Sequence, residues 1–119
     1  MQMVGMEALV ALKYKLPIVY AVFNDARYNM VYHGYRQVFG REAEWGSPWT
    51  DFAAWARSMG MVGLRVDHPG EISSERLAHL REQRVPVILD VRIDRDERVA
   101  GGGRNEALRH MSMLTEARR

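Results

Sequence analysis

Apolar residues fall along this chain in blocks of two spacings, and the two kinds alternate. Met3, Val4, Met6, Ala8, Leu9, Val10 and Leu12 cover most of a helix surface between Met1 and about Tyr14, so the spacing predicts a helix packed on several sides. Leu16-Pro17 stops it, because proline brings no amide hydrogen and clashes with the preceding turn. Ile18 to Phe23 is an unbroken, partly β-branched apolar run, of the kind found in strands buried on both faces of a parallel sheet. From Asn24 to about Thr50 glycine, aromatic and charged residues mix without sustained periodicity, and a connection of that length is more often functional than idle. Asp51 then opens a helix whose Phe52, Trp55, Ala56 and Met59 form one stripe closed by Gly60. "MVGLRVD" predicts a short strand, "PGEISSERLAHLREQ" a helix with a thin stripe of Ile72, Leu77 and Leu80, and "VPVILDVRID" a third strand. Pro86 sits at the start of that strand, where a missing donor is tolerated.

Strands separated by helices imply an α/β fold: a parallel sheet with helices on both faces and right-handed crossovers. The 119 residues fit one domain, residues 1–119, which can bury about two-thirds of the surface of its unfolded chain. Residues 95–119 read as a tail, with a glycine triplet at Gly101 to Gly103 and then Leu108, Met111 and Leu114 at the spacing of an amphipathic helix. The first helix has no Ser, Thr, Asp or Asn cap and no polar face, so the start reads as interior sequence, cut from a longer chain.

Composition narrows the classes of partner. Hydrophobic residues make up 47% and charged residues 27%, the balance of a folded globular chain rather than a disordered one. The 17 Lys and Arg against 15 Asp and Glu leave +2, scattered without a basic block, which argues against nucleic acid as a partner. With no cysteine there is no disulfide, thiolate nucleophile or thiolate-held zinc, and the cytoplasm is the expected compartment. Glu7, Lys13 and Lys15 interrupt any run of the roughly 20 apolar residues that a membrane helix needs, so no membrane partner is expected either.

The chemistry concentrates where the first apolar run breaks into Asn24-Asp25. In open parallel sheets ligands bind beyond the C-terminal ends of strands. An amide, a carboxylate and a nearby backbone carbonyl offer the hard oxygens that magnesium prefers, which makes half a site. The same two residue types also favour turns, so a plain turn stands beside the metal reading. His33, in "YHGYRQ", is either a substrate contact or a surface residue of the loop. His68, His79 and His110 have no ligand spacing. Trp55 belongs to a core stripe, while Trp45 and Trp49 flank Pro48 and suit an interface with a neighbouring domain or subunit.

"EALVALKYKLPIVYAVFNDARYNMV" resembles the diphosphate-binding domain of thiamine diphosphate enzymes of the acetolactate synthase and 2-oxoacid decarboxylase group. In that family a Gly-Asp-Gly triplet ends a strand, a helix follows, and after it come a Leu-Pro turn, an apolar strand and an Asn-Asn pair leading to Gly-Tyr. "MEALVALKYKLPI" and "VFNDARYNM" stand in matching order and spacing. The likeness continues through "SPWTDFAAWARSMGMVGLRVDHP" and "PVILDVRID", so that it covers nearly the whole chain.

The resemblance implies thiamine diphosphate and Mg2+ as cofactors. Asp25 would bind the metal through its side chain and Arg27 through its carbonyl, Asn24 would orient the loop, and Tyr28 would pack near the diphosphate. Three positions depart from the pattern: the Gly-Asp-Gly triplet is absent, the second Asn of the pair is Asp25, and the usual glycine is Arg27. The implied activity is that of an acetolactate synthase-like enzyme, a homo-oligomer acting on a pyruvate-like 2-oxoacid by decarboxylation with carboligation. A decarboxylase or aldehyde lyase of the same family is the neighbouring reading. The activating glutamate of the family lies in a different domain, so this chain alone is expected to be inactive. The competing class is a non-catalytic α/β interaction module or remnant that has lost the triplet. A fragment should expose its apolar first helix and associate, whereas a module should be monodisperse.

Overall fold

The structure is a computed structural model, and it describes residues 5–97 together with Glu106, His110 and Met113. By its internal contacts the chain divides into two units, Met1–Asn24 with Trp49–Ile93, and Asp25–Pro48 with Asp94–Arg119.

The first unit is built on three parallel strands, β1 (Val19–Asn24), β2 (Val62–Val66) and β3 (Val87–Arg92), in the order β1-β3-β2. Val22 pairs with Asp90 and Asn24 with Arg92, while Leu64 pairs with Leu89. Three helices cover the sheet: α1 (Ala8–Lys13), α3 (Phe52–Ser58) and α4 (Ser74–Glu82). Because side chains alternate along a strand, the sheet buries two cores. Ile88 packs with Ala8, Phe52, Ala56 and Met61 on the face of α1 and α3. Val87 and Leu89 pack with Val66 and Leu80 on the face of α4. Helices thus lie on both faces, as the strand-helix alternation implies.

The strand that is buried on both sides is β3, not the first one. Pro86 to Asp90 are all buried, since β3 has a neighbour on either hand. The apolar run Ile18 to Phe23 becomes β1, which among the described residues pairs only with β3, and its Phe23 is 69% exposed. An apolar run reports a capacity for burial, while position in the sheet decides how much of it is used.

The first helix is also shorter and narrower than its pattern. A 3-10 turn (Gly5–Glu7) leads into α1, which buries only the small Ala8 and Ala11, while Met6, Val10 and Tyr14 are exposed. Its end is a Schellman closure: Leu16 N–H donates to the Ala11 carbonyl at 2.9 Å and Lys15 N–H to that of Leu12 at 3.1 Å. Lys15, at φ +52°, takes the left-handed position that glycine usually fills, and Pro17 follows.

The Asp51 side chain caps α3 by accepting from Ala54 N–H at 2.7 Å, as its place ahead of the stripe predicts. Trp55 and Met59 pack on the α3 core from their half-buried positions. Ser73 caps α4 in the same way, after a 3-10 turn (Pro69–Glu71).

The second unit contains the one described helix that the sequence pattern did not predict, α2 (Asn29–Phe39), within the stretch read as a loop. Val31, Tyr35 and Val38 follow helical spacing and Gly40 closes the helix at φ +65°, a signal obscured by Gly34 and by the exposed Met30 and Phe39. His33 is therefore on a helix, not a loop. The amphipathic helix expected at Leu108, Met111 and Leu114 lies outside the described residues. Among the described residues no helix is long and apolar enough to cross a membrane.

Candidate functional site

In the first unit all three strands end on the same edge of the sheet, and the end of β1 carries the first candidate residue. Asn24 is 5% exposed and its side chain is turned into the protein: Nδ2 donates to the Thr50 carbonyl at 2.9 Å and to Asp90 Oδ1 at 2.7 Å. Asp90 is fully buried, and its other oxygen accepts from Phe52 N–H, at the start of α3, at 3.2 Å and from Arg92 Nη2 at 3.0 Å. Arg92 also donates to the Thr50 carbonyl at 3.3 Å and lies 4.5 Å from the centre of the Trp49 ring. Asp90 escaped the sequence reading. The available signal was a lone carboxylate inside the run Pro86 to Val91, because a buried charge persists only where it is paired.

In the second unit Asp25 makes the turn that its residue type favours. Its Oδ1 accepts from Arg27 N–H at 3.2 Å, and Ala26 between them is buried at φ +52°. A β-carbon in the left-handed region costs energy, and such positions recur at ligand-binding turns. An isolated antiparallel bridge joins Arg27 to Gly46 through Tyr28 N–H to the Trp45 carbonyl at 3.1 Å and Ser47 N–H to the Ala26 carbonyl at 2.8 Å. The bridge uses the groups on either side of Arg27, so the Arg27 carbonyl receives no backbone donor among the described residues.

The structure also shows how this turn accommodates an arginine. The Arg27 guanidinium lies 3.9 Å from the Tyr32 ring centre, Nε donates to Asn29 Oδ1 at 3.0 Å, and Nη2 meets the Arg95 carbonyl and, at 3.3 Å, the Asp96 carboxylate. Tyr28 is 60% exposed. His33 Nε2 is 3.1 Å from the Arg95 carbonyl, while its Nδ1 and the Trp45 indole N–H are buried without a partner among the described residues. Asp25 and Arg27 thus fall together on one turn, with a carboxylate and a carbonyl that takes no backbone donor among the described residues, and both are hard oxygens of the type that magnesium takes. The residues present therefore fit part of a magnesium site. Among the described residues no group of three or more His, Cys, Asp or Glu could hold a metal, so this pair needs further ligands.

Residues 1–91, which include all of these candidates and Asp90, match the family described as thiamine pyrophosphate enzyme, C-terminal TPP binding domain. The chain belongs to the thiamine pyrophosphate enzymes. The acetolactate synthase of Bacillus subtilis (strain 168) is 32% identical to it over 95 residues, covering 80% of this chain and 16% of that protein. The acetolactate synthase isozyme 3 large subunit of Escherichia coli (strain K12) is 32% identical over 115 residues, covering 88% of this chain and 20% of that protein. This member of the family spans a fifth or less of the length of those curated relatives. The family's α/β domain is the fold seen here, a parallel sheet covered by helices.

Proposed function

We propose that this chain is the part of an acetolactate synthase-like enzyme that anchors thiamine diphosphate through Mg2+, in an enzyme that decarboxylates a pyruvate-like 2-oxoacid and joins the product to a second carbonyl compound. The reading is supported by the family match and by two relatives that are both acetolactate synthases. The observation that carries it is the Asp25–Ala26–Arg27 turn, which offers, two residues apart, a carboxylate and a carbonyl that has no backbone donor among the described residues.

When bound, thiamine diphosphate supplies the carbanion chemistry at the substrate carbonyl. The share of this chain is to bind and orient. Asp25 Oδ1 holds the turn, and the carboxylate keeps acceptor capacity for a cation. The Arg27 side chain is secured by Tyr32, Asn29 and Asp96, which keeps its positive charge occupied while its carbonyl faces away from Gly46. Tyr28 is exposed beside the turn, and on this reading it would pack on the cofactor. Magnesium takes about six oxygens, so Asp25 and Arg27 would hold it only together with further oxygen ligands from outside this turn. A homo-oligomer in the cytoplasm belongs to the same reading.

In the natural gene product that carries this chain, Asp25→Ala should weaken Mg2+-dependent thiamine diphosphate binding, read by calorimetry, by more than the roughly tenfold typical of losing a supporting partner. Unchanged magnesium and cofactor affinities would sink the proposal. The purified 119-residue chain should not decarboxylate pyruvate.

A further inference from the structure

We infer that Tyr32 is a positioning residue for the magnesium corner proposed above, acting through the Arg27 side chain on the Arg27 carbonyl. The inference rests on that functional reading and adds to it a residue of α2; every group it uses belongs to the second unit. The Arg27 side chain is only 9% exposed, and a cation so far withdrawn from water persists where partners replace the water it has lost. Asn29 Oδ1 accepts from Nε at 3.0 Å, while the Arg95 carbonyl and Asp96 accept from Nη2. Such acceptors meet a guanidinium in its plane, so it is the Tyr32 ring, its centre 3.9 Å from the guanidinium carbon, that closes a face. Tyr32 is itself held, its N–H by the Tyr28 carbonyl at 2.9 Å and its hydroxyl by Glu42 Oε1 at 3.2 Å.

The backbone of Arg27 has two further fixed points. Its N–H donates to Asp25 Oδ1 at 3.2 Å, and the next N–H, that of Tyr28, donates to the Trp45 carbonyl at 3.1 Å. A trans peptide is planar with its N–H and C=O opposed, so the bond to Trp45 aims the Arg27 carbonyl away from that segment. The bond to Asp25 is the weak point, because the same carboxylate is asked to hold the turn and to ligate a metal. The stacked side chain supplies a hold that does not depend on Asp25: the peptide cannot swing without drawing the guanidinium off Tyr32. The arginine that departs from the family pattern thus gives the turn a handle that glycine lacks.

The test sets Tyr32→Leu, Tyr32→Phe, Arg27→Met and the double variant of Tyr32→Leu with Arg27→Met beside Asp25→Ala, in the natural gene product that carries this chain. Three quantities are read: the Mg2+ concentration for half-maximal thiamine diphosphate binding by calorimetry, the thermal midpoint without ligands, and amide hydrogen exchange at Tyr28. Tyr32→Leu should raise the half-saturating Mg2+ about tenfold and speed that exchange. Tyr32→Phe keeps the ring and should behave nearly as the unaltered protein. Arg27→Met should match Tyr32→Leu, and the double variant should go no further, because both changes remove one contact. A folded Tyr32→Leu protein with a lower thermal midpoint but unchanged Mg2+ dependence and exchange would reduce Tyr32 to a structural residue and overturn the inference. So would a Tyr32→Phe as damaging as Tyr32→Leu, or effects that multiply in the double variant. If Asp25→Ala shifts the Mg2+ dependence in any of those cases, the metal reading survives; if it shifts nothing, the metal reading fails as well. Should Tyr32→Leu not fold, Arg27→Met decides alone: a rise of the same size supports the handle and an unchanged Mg2+ dependence overturns it.

Discussion

Asp67 and Arg65, at the end of β2, show at the scale of single residues how exposure limits what a well-formed ion pair can do. Arg65 Nε lies 3.0 Å from both oxygens of Asp67, and Nη2 lies 2.9 Å from one of them. Hydrogen bonding from Arg65, reinforced by its charge, holds the Asp67 carboxyl below the usual carboxylate range and raises Arg65 in return. A lowered folded value means that the native state binds this proton less readily than the unfolded chain. The stabilisation is thus present above the ordinary aspartate value of about 3.9 and fades as the pH falls through the lower folded value. Both partners are open to solvent, so the effect is small. Asp67→Asn should reduce the thermal midpoint slightly at neutral pH and by less as the pH drops below about 4; parallel curves for the two proteins across that window would dispose of the pair. Asp90 is the contrasting residue, fully buried with three donors, and it carries the architecture of the strand ends. Asn24 and Asp25 could be singled out in the sequence because they interrupt an apolar run. Asp90 could not be assigned its partners, because Asn24 is 66 residues away and only the pairing of β1 with β3 brings them together.

At the scale of elements, what could be read from the sequence was whatever local periodicity dictates. The Asp51 cap, the stripe of α3 and the Gly60 stop at φ +81° are all short-range signals, and they appear in the structure as the pattern implies. Which strand lies in the middle is not a local property. The apolar runs of β1 and β3 look alike, and their burial differs because β3 has two neighbours. The helix α2 was hidden for the opposite reason, since none of its residues is buried and half-exposed aromatic positions blur the stripe. Gly63 is another residue whose role appears only once elements pack. A β-carbon there would lie 2.0 Å from the Ala53 carbonyl oxygen, so β2 meets α3 too closely for any side chain. The contact is backbone against backbone and cannot be relieved by a rotamer change. Gly63→Ala should therefore destabilise the protein by about 2–3 kcal/mol, the upper part of the range for overpacking, seen as a lower urea midpoint with an unchanged slope. A loss below half a kilocalorie would mean that α3 can slide on the sheet.

For the molecule as a whole, the decisive feature is how much large apolar surface the folded chain leaves in water. In the first unit Phe23 is 69% exposed, Tyr14 63% and Met6 60%, and β1 has an open edge among the described residues. In the second unit Met30 is 80% exposed and Phe39 50%. Single exposed apolar residues are ordinary, but an unpaired strand edge bearing an aromatic side chain is a template for further pairing. An isolated interaction module would blunt that edge with charge or proline, yet Tyr20, Ala21, Val22 and Phe23 put neither there. The purified 119-residue chain should therefore self-associate, with a sedimentation coefficient that rises with concentration. Replacing Phe23 with lysine should shift it towards the monomer, because the substitution places a charge on the strand edge without touching a buried position. A single 13.7 kDa species at all concentrations would favour the module reading over that of an enzyme domain with faces meant to be covered.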